Sequence, residues 1–346
     1  MEIDAFGGGK TIAAVQRSAR GVQRAGFDRL WIPEGTAPAF SQAAVAAAAA
    51  EGLGIGTGVA VAFARSPMVT AQAAWMLAEA TGGNFRLGLG TQVKAHMERR
   101  YSGAFSPPGP RMREYVLALR AIFDAFARRS TLSFQGDYYT FTLLPGTWAP
   151  DPLDYPDPPV YLAGVRPWMC RMIGEVADGM KVHPLHSLAY LDQVVLPNVA
   201  AGAEAAGRDP ADVKLVIPVM TAVGDDEQSV AGQREKLRQR LAFYGSTPGY
   251  GAVFDASGWP GIGERLNQAL RDRDTALMDQ LVTDEMLDAM TVTATWSGLA
   301  KALADKYQGK ADAIVCYSAL EQWAADPASE ERWQDVTAEF KRVTSG

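Results

Sequence analysis

The chain has 346 residues, 48% of them hydrophobic and 21% charged, which is enough apolar content for a large buried core. A formal net charge of -6 argues against a nucleic-acid binder, which needs a basic face. Two cysteines make no disulfide framework, the first residues Met1-Glu2-Ile3-Asp4 are acidic where a secretory signal is basic, and no apolar run is long enough to cross a bilayer, so a cytoplasmic protein without a membrane span is expected.

Short β-type runs alternate with longer helical stretches from one end to the other. Ile3 to Phe6 reads as a first strand and Thr11 to about Ala25 as a helix. Asp28 to Ile32 is a second strand, stopped by Pro33. The alanine-rich segment that follows reads as a helix capped by Ser41. Leu53 to Val61 is a third strand, whose glycines predict a bulge or a closely approached backbone. Pro67 opens a helix that stops at Thr81-Gly82-Gly83. Asn84 to Gly90 is the fourth strand, and Arg111 to Arg129 a long amphipathic helix.

Ser130 to Pro159, rich in proline and aromatic residues, breaks the rhythm. It predicts an insertion across a barrel mouth, with a small hairpin around Leu132 to Phe141. The alternation resumes with strands at Val160–Ala163, Gly179–Val182 and Val213–Val223, and helices at Pro167–Ala177, Ala189–Ala206 and Glu227–Tyr244. A second irregular block, Gly245 to Gly263, precedes short helices. The last strand is Ala313 to Tyr317 and the last helix Ser329 to Val343. Eight strands, each followed by a helix, can close into a barrel or lie as an open doubly wound sheet. Length and strand count favour a single (β/α)8 domain over 1–346, with insertions at about 130–159 and 245–290.

In such a barrel the chemistry sits where the strands end at their carboxyl side. Ala163-Gly164-Val165 runs straight into a helix near Pro167, so small residues and a helix N-terminus offer an anion site beside Arg166. An ordinary strand-to-helix turn with a surface arginine is the competing reading. Gly88-Leu89-Gly90 lacks the third glycine of a dinucleotide fingerprint; its glycines either relieve crowding or meet a ligand. Glu34 either hydrogen-bonds a cofactor, shuttles a proton, or is an exposed loop residue. His183 ends a strand and is a ligand-contact candidate, whereas His186 reads as a surface residue. With Pro184 between them and no acid or cysteine nearby, the two histidines predict no metal site. No Gly-x-Ser-x-Gly elbow occurs, so nucleophilic hydrolysis has no support.

Two stretches together resemble the luciferase-like monooxygenase superfamily. They are Ala64-Arg65-Ser66-Pro67-Met68-Val69-Thr70-Ala71-Gln72 and Gly82-Gly83-Asn84-Phe85-Arg86-Leu87-Gly88-Leu89-Gly90-Thr91. Tyr161-Leu162-Ala163-Gly164 with Glu175-Val176-Ala177-Asp178-Gly179 adds to it, and Ala242-Phe243-Tyr244-Gly245-Ser246-Thr247-Pro248 resembles an F420-dependent subgroup. The resemblance implies a bacterial-luciferase-type barrel that binds coenzyme F420, or alternatively FMN, at its mouth. It implies a bulge with a non-proline cis peptide in the third strand, here at Gly58–Val59, with Ala60 following. It also implies a cofactor phosphate at the turn matching Ala163-Gly164-Val165 and a homodimer packed through the early helices.

The chain departs from some dehydrogenases of that superfamily, which carry an Asp-His pair where Glu34-Gly35 stands and a glutamate where Val93 stands. A histidine-base, glutamate-acid mechanism is therefore not carried over. Glu34 and His183 are the catalytic candidates. Gly58, Val59, Ala60, Gly90, Thr91, Gln92, Lys94, Ala163, Gly164, Val165 and Arg166 are the cofactor candidates, and no metal is expected. Arg65, Lys94, Arg99, Arg100 and Arg166 are candidates for a basic lip. The expected function is F420-dependent hydride transfer to or from a small organic substrate, with reduction of a C=C or C=N bond. An FMN-dependent monooxygenase and a non-catalytic cofactor-binding barrel are the alternatives.

Overall fold

The structure, a computed structural model, describes residues 1–105 and 107–345. Eight parallel strands form its centre: β1 (Glu2–Phe6), β2 (Arg29–Ile32), β3 (Gly54–Thr57), β4 (Phe85–Gly90), β5 (Val160–Ala163), β6 (Gly179–Lys181), β7 (Lys214–Val219) and β8 (Ala313–Cys316). Their order is β3-β2-β1-β8-β7-β6-β5-β4, and β3 also pairs with β4, so the sheet closes into a (β/α)8 barrel. The principal helices around it are α1 (Ile12–Arg24), α2 (Ala39–Ala49), α3 (Pro67–Ala80), α4 (Pro108–Phe126), α5 (Pro167–Val176), α6 (Leu196–Ala205), α7 (Glu227–Gly245), α8 (Trp296–Tyr307) and α9 (Ser329–Thr344). The open-sheet alternative is excluded by the β3–β4 closure.

Most of the core lies between barrel and helices, where apolar strand faces meet the helices' apolar stripes. A smaller cluster of Trp31, Tyr161, Val216, Ala313 and Val315 fills the lumen. Space for the Trp31 indole comes from missing side chains: a Cβ on Gly56 would sit 2.7 Å from Trp31 Cε3. Gly88 answers a tighter constraint, since its Cβ would meet the Thr57 carbonyl at 1.9 Å. Crowding explains that glycine.

After Thr57 the third strand is interrupted, resuming at Ala60–Val61, and the Gly58–Val59 bond is cis. The Thr57 side chain spans the interruption: its Oγ1 accepts from Gly88 N at 2.9 Å and donates to Gly88 O at 2.7 Å. Thus one hydroxyl replaces two ladder hydrogen bonds.

Several expectations are corrected. Ser41 lies inside α2, whose N-cap is Pro38 with no side-chain cap bond. The apolar run 213–223 divides: β7 ends at Val219, and Thr221–Gly224 leaves the barrel to pair in parallel with Val292–Thr295. The segment 130–159 does not lie across the mouth. It wraps the outer faces of α3 and α4, where Glu114 accepts from the backbone N–H groups of Asp137, Tyr138 and Tyr139, and Trp75 Nε1 donates to Asp151 O at 2.9 Å. Its hairpin is the short pair Phe134–Gln135 and Thr140–Phe141.

Candidate active site

A cavity of about 700 Å³ opens where the strands end at their carboxyl side. Concavities of about 810 and 950 Å³ also exist, one among paired charges at the opposite end of the barrel and one beside Arg271. The mouth cavity is the candidate because the ends of all eight strands supply residues to it or stand beside it.

The second and third strands contribute an interlocked pair. Gly58 N donates to Ile32 O at 2.7 Å, and Glu34 N to Val59 O at 3.2 Å. The Glu34 carboxylate, with a side chain only 5% exposed, accepts from both Arg65 terminal nitrogens at 2.7 and 2.6 Å and from Val61 N at 2.7 Å. Those bonds raise the Arg65 pKa and occupy both carboxylate oxygens. Gly58 and Val59 line the cavity, while Ala60 is buried behind them.

After β4, Gly90 faces Val59, and a Cβ there would come within 2.7 Å of Val59 Cγ2. Gln92 adopts a left-handed φ of 61°, supported locally by its own Oε1 accepting from Val93 N at 2.9 Å. Thr91, Gln92 and Lys94 line the same wall. After β5, Ala163, Gly164, Val165 and Arg166 lead into α5, whose first turn has Pro167 at its start and no side-chain cap. Its N–H groups are thus available to an acceptor from the cavity.

The opposite wall is aromatic, and of its residues the sequence reading named His183 as a site candidate but not Phe6, Tyr244, Tyr250 or Tyr317. Phe6 stacks on Tyr317 with centroids 4.4 Å apart, and the Tyr317 hydroxyl hydrogen-bonds the Tyr244 hydroxyl at 2.8 Å. His183 stacks on Tyr250 at 4.2 Å and meets Tyr244 edge-on at 5.2 Å. Phe6 and Tyr317 directly end β1 and follow β8, so the strand-end rule had the means to find them. Tyr244 and Tyr250 come from α7 and the loop after it, beyond that rule's reach.

Dehydration drives the His183 pKa down to about 3, so the ring is neutral at physiological pH. Its Nδ1 accepts from Leu185 N at 3.1 Å, which leaves the proton on Nε2. His186, expected at the surface, is buried, with Nδ1 3.0 Å from His183 O and Nε2 3.0 Å from the Tyr307 hydroxyl. Of the basic-lip candidates, Lys94 and Arg166 line the cavity, Arg65 is committed to Glu34, and Arg100 donates to Gly35 O. Arg99 is exposed on a short helix and does not line the cavity. Among the described residues no cluster of His, Cys, Asp or Glu is arranged to hold a metal, and no helix is long and apolar enough to cross a membrane.

Below the mouth, Lys181 at the end of β6 forms part of the floor. Burial lowers its pKa to about 7, and burial raises that of Asp4 on β1 to about 7.

Residues 2–313 match the family described as luciferase-like monooxygenase. An uncharacterized protein of Mycobacterium tuberculosis is 37% identical over 304 residues, covering 88% of this chain and 89% of that protein. A 5,10-methylenetetrahydromethanopterin reductase of Methanolobus tindarius is 26% identical over 288 residues, covering 82% of this chain and 83% of the enzyme. Among solved structures, the coenzyme F420 dependent tetrahydromethanopterin reductase from Methanopyrus kandleri shares the fold with a TM-score of 0.76 at 17% identity, covering 98% of this chain and 97% of that one. A match over most of the chain, on a closed barrel with its cavity at the strand ends, makes this protein a member of the luciferase-like monooxygenase family.

Proposed function

We propose that this protein is a coenzyme F420-dependent oxidoreductase, transferring a hydride between the deazaflavin and a small organic substrate with reduction of a C=C or C=N bond. The observation that carries the reading is the shape of the cavity. The strand order sets β4 across the barrel from β8, so a wall of small residues, Gly58, Val59, Gly90 and Ala163, faces the aromatic wall of Phe6 and Tyr317. That slot suits a flat ring. The uncapped first turn of α5 and Arg166 suit its phosphate-bearing chain.

In this reading Gly58, Val59, Gly90, Thr91, Gln92 and Lys94 would hold the ring side, and Ala163, Gly164, Val165 and Arg166 the phosphate. When bound, a deazaflavin supplies a hydride and reacts poorly with oxygen. The chain's own task is then to bind, orient and exclude water. Neutral His183 offers its Nε2–H as a hydrogen-bond donor to substrate. Glu34, its oxygens occupied by Arg65 and Val61, holds the bulge and is not the proton carrier. The similarity to a 5,10-methylenetetrahydromethanopterin reductase and to a coenzyme F420 dependent tetrahydromethanopterin reductase supports this choice.

The family's own description favours a second reading, an FMN-dependent monooxygenase in the same cavity. Titrating the apo-protein with F420 and with FMN, followed by fluorescence, separates the two. Micromolar or tighter F420 binding with weak FMN binding supports hydride transfer, and the reverse supports the oxygenase. Binding of neither overturns both. Binding without absorbance loss across a panel of unsaturated and imine substrates supports a non-catalytic barrel. A cytoplasmic homodimer packed through the early helices completes the proposal. Exposed Ile12, Val69 and Met76 on α1 and α3 support the dimer, and light scattering on the purified chain tests it.

A further inference from the structure

The strand-end residues leave one group of charges without a task. Lys181 is 4% exposed, and its Nζ has no hydrogen-bond partner. That Nζ lies 4.2 Å from the Trp31 ring centroid, and a Cβ on Gly58 would come within 3.2 Å of Lys181 Cε. The lysine therefore runs directly behind the glycine that forms the cavity wall, and it also reaches the floor. Asp4 is wholly buried in the same lumen; its Oδ2 accepts from Trp31 Nε1 at 2.7 Å, while its Oδ1 has no partner.

One buried amine nitrogen, over the face of a single indole, and one buried carboxylate oxygen, at its N–H edge, thus stand unmatched. Buried polar groups are almost always satisfied, so each such exception calls for a cause. Stability does not supply it, because a methionine fills a lysine's volume without the cost of dehydrating a charge. Charged neighbours bear on the pair without hydrogen-bonding it: Arg29 and Arg86 attract the Asp4 carboxylate and Glu2 repels it. Glu2 and Arg86 satisfy one another through two hydrogen bonds of 2.7 and 2.8 Å, and Arg29 donates to the Ile55 and Asn84 carbonyls. Tyr161 and Cys316 are the other titratable groups facing the pair, and burial raises the pKa of both. β3 carries no charged residue, and the one on β7, Lys214, is exposed beside Asp312.

We propose that Lys181, held over Trp31 in the lumen it shares with Asp4, is an electrostatic residue of the site. It directs positive charge through the cavity floor, from behind Gly58, at a ring ligand that is anionic in one of its states. This rests on the reading of the cavity as a deazaflavin or flavin site. Lys181 exchanges no atoms with the ligand; its charge favours the anionic state.

The test uses wild type, Lys181→Met and Lys181→Gln, with F420 and FMN as probes. Absorbance follows the acid–base transition of whichever chromophore binds. Both variants should unfold thermally at or above the wild-type temperature. In both, the bound chromophore should titrate about one pH unit higher, with roughly tenfold weaker binding of its anionic form. An unchanged titration in folded, ligand-binding variants overturns the inference, and so does a shift in Lys181→Met but not in Lys181→Gln, which would mean a lost donor and not a lost charge. Failure of the wild type to bind either probe instead overturns the reading of the cavity. Carbon-13 NMR of the Asp4 carboxyl in apo-protein then decides the pair by itself. An Asp4 pKa higher in Lys181→Met than in wild type supports the coupling, and an equal value overturns it.

Discussion

Replacing Thr57 by valine tests the barrel closure in isolation. The two side chains are nearly the same size, so the substitution removes a hydroxyl and leaves the volume in place. Gly88 N and Gly88 O, both satisfied by Thr57 Oγ1 at 2.9 and 2.7 Å, are left without that partner in a fully buried setting. An unsatisfied buried backbone group costs about 1–3 kcal/mol, so two of them cost about 2–4 kcal/mol once the neighbours relax together. Thr57→Ser keeps the hydroxyl and loses one methyl, at about 0.8 kcal/mol. Urea unfolding followed by circular dichroism gives both values, and amide exchange at Gly88 should accelerate only in the valine variant. If valine falls within about 0.5 kcal/mol of wild type, or serine costs as much as valine, the hydroxyl does not bridge the strand break.

Arg65→Met leaves the Glu34 carboxylate buried with one remaining donor, at a cost of about 3–5 kcal/mol, and the double variant with Glu34→Gln should recover part of that loss in urea titrations. A single-variant cost below about 1 kcal/mol would mean the pair behaves as a surface contact. Asp4 binds its proton more tightly in the folded state, with a pKa raised from 3.8 to about 7. Its contribution to stability is therefore complete below about pH 4 and is lost as pH rises toward 7; Asp4→Asn should flatten this decline, by roughly 4 kcal/mol at most, in unfolding measured from pH 4 to 7. Gly202→Ala should cost about 1–3 kcal/mol in thermal unfolding, because its Cβ would meet the Arg171 carbonyl at 1.9 Å where α6 crosses α5, and backbone cannot yield as a side chain can.

The barrel was legible because most of its strands are short, largely apolar runs between helical stretches, the pattern of strands buried on both faces. The same property concealed the division at Met220. Residues 215–223 are apolar but for Thr221, so nothing local marks where the chain leaves one sheet for another. The partner strand Val292–Thr295 has strand-favouring residues but is only four residues long and runs directly into α8, so it reads as the start of that helix. The position of 130–159 depends on Glu114 and Trp75, which read as ordinary helix residues. His186 is buried by Tyr307, a residue 121 positions later, and no spacing rule carries that contact. Within the cavity, strand-end reasoning reached the small-residue wall. It gave Lys181 no role, because the burial of that side chain over Trp31, 150 residues earlier in the chain, is set by barrel closure and leaves no local mark.

The parallel pair formed by Thr221–Gly224 and Val292–Thr295 also bears on ancestry. It joins the two ends of everything between them, a stretch that includes α7 and carries Tyr244 and Tyr250 into the cavity wall. A stretch tied off at its base can be lengthened, shortened or exchanged while every barrel strand keeps its neighbours. One contiguous piece of gene therefore holds Tyr244 and Tyr250, two of the aromatic residues of the cavity wall. A single recombination event there can hand the same barrel a different substrate.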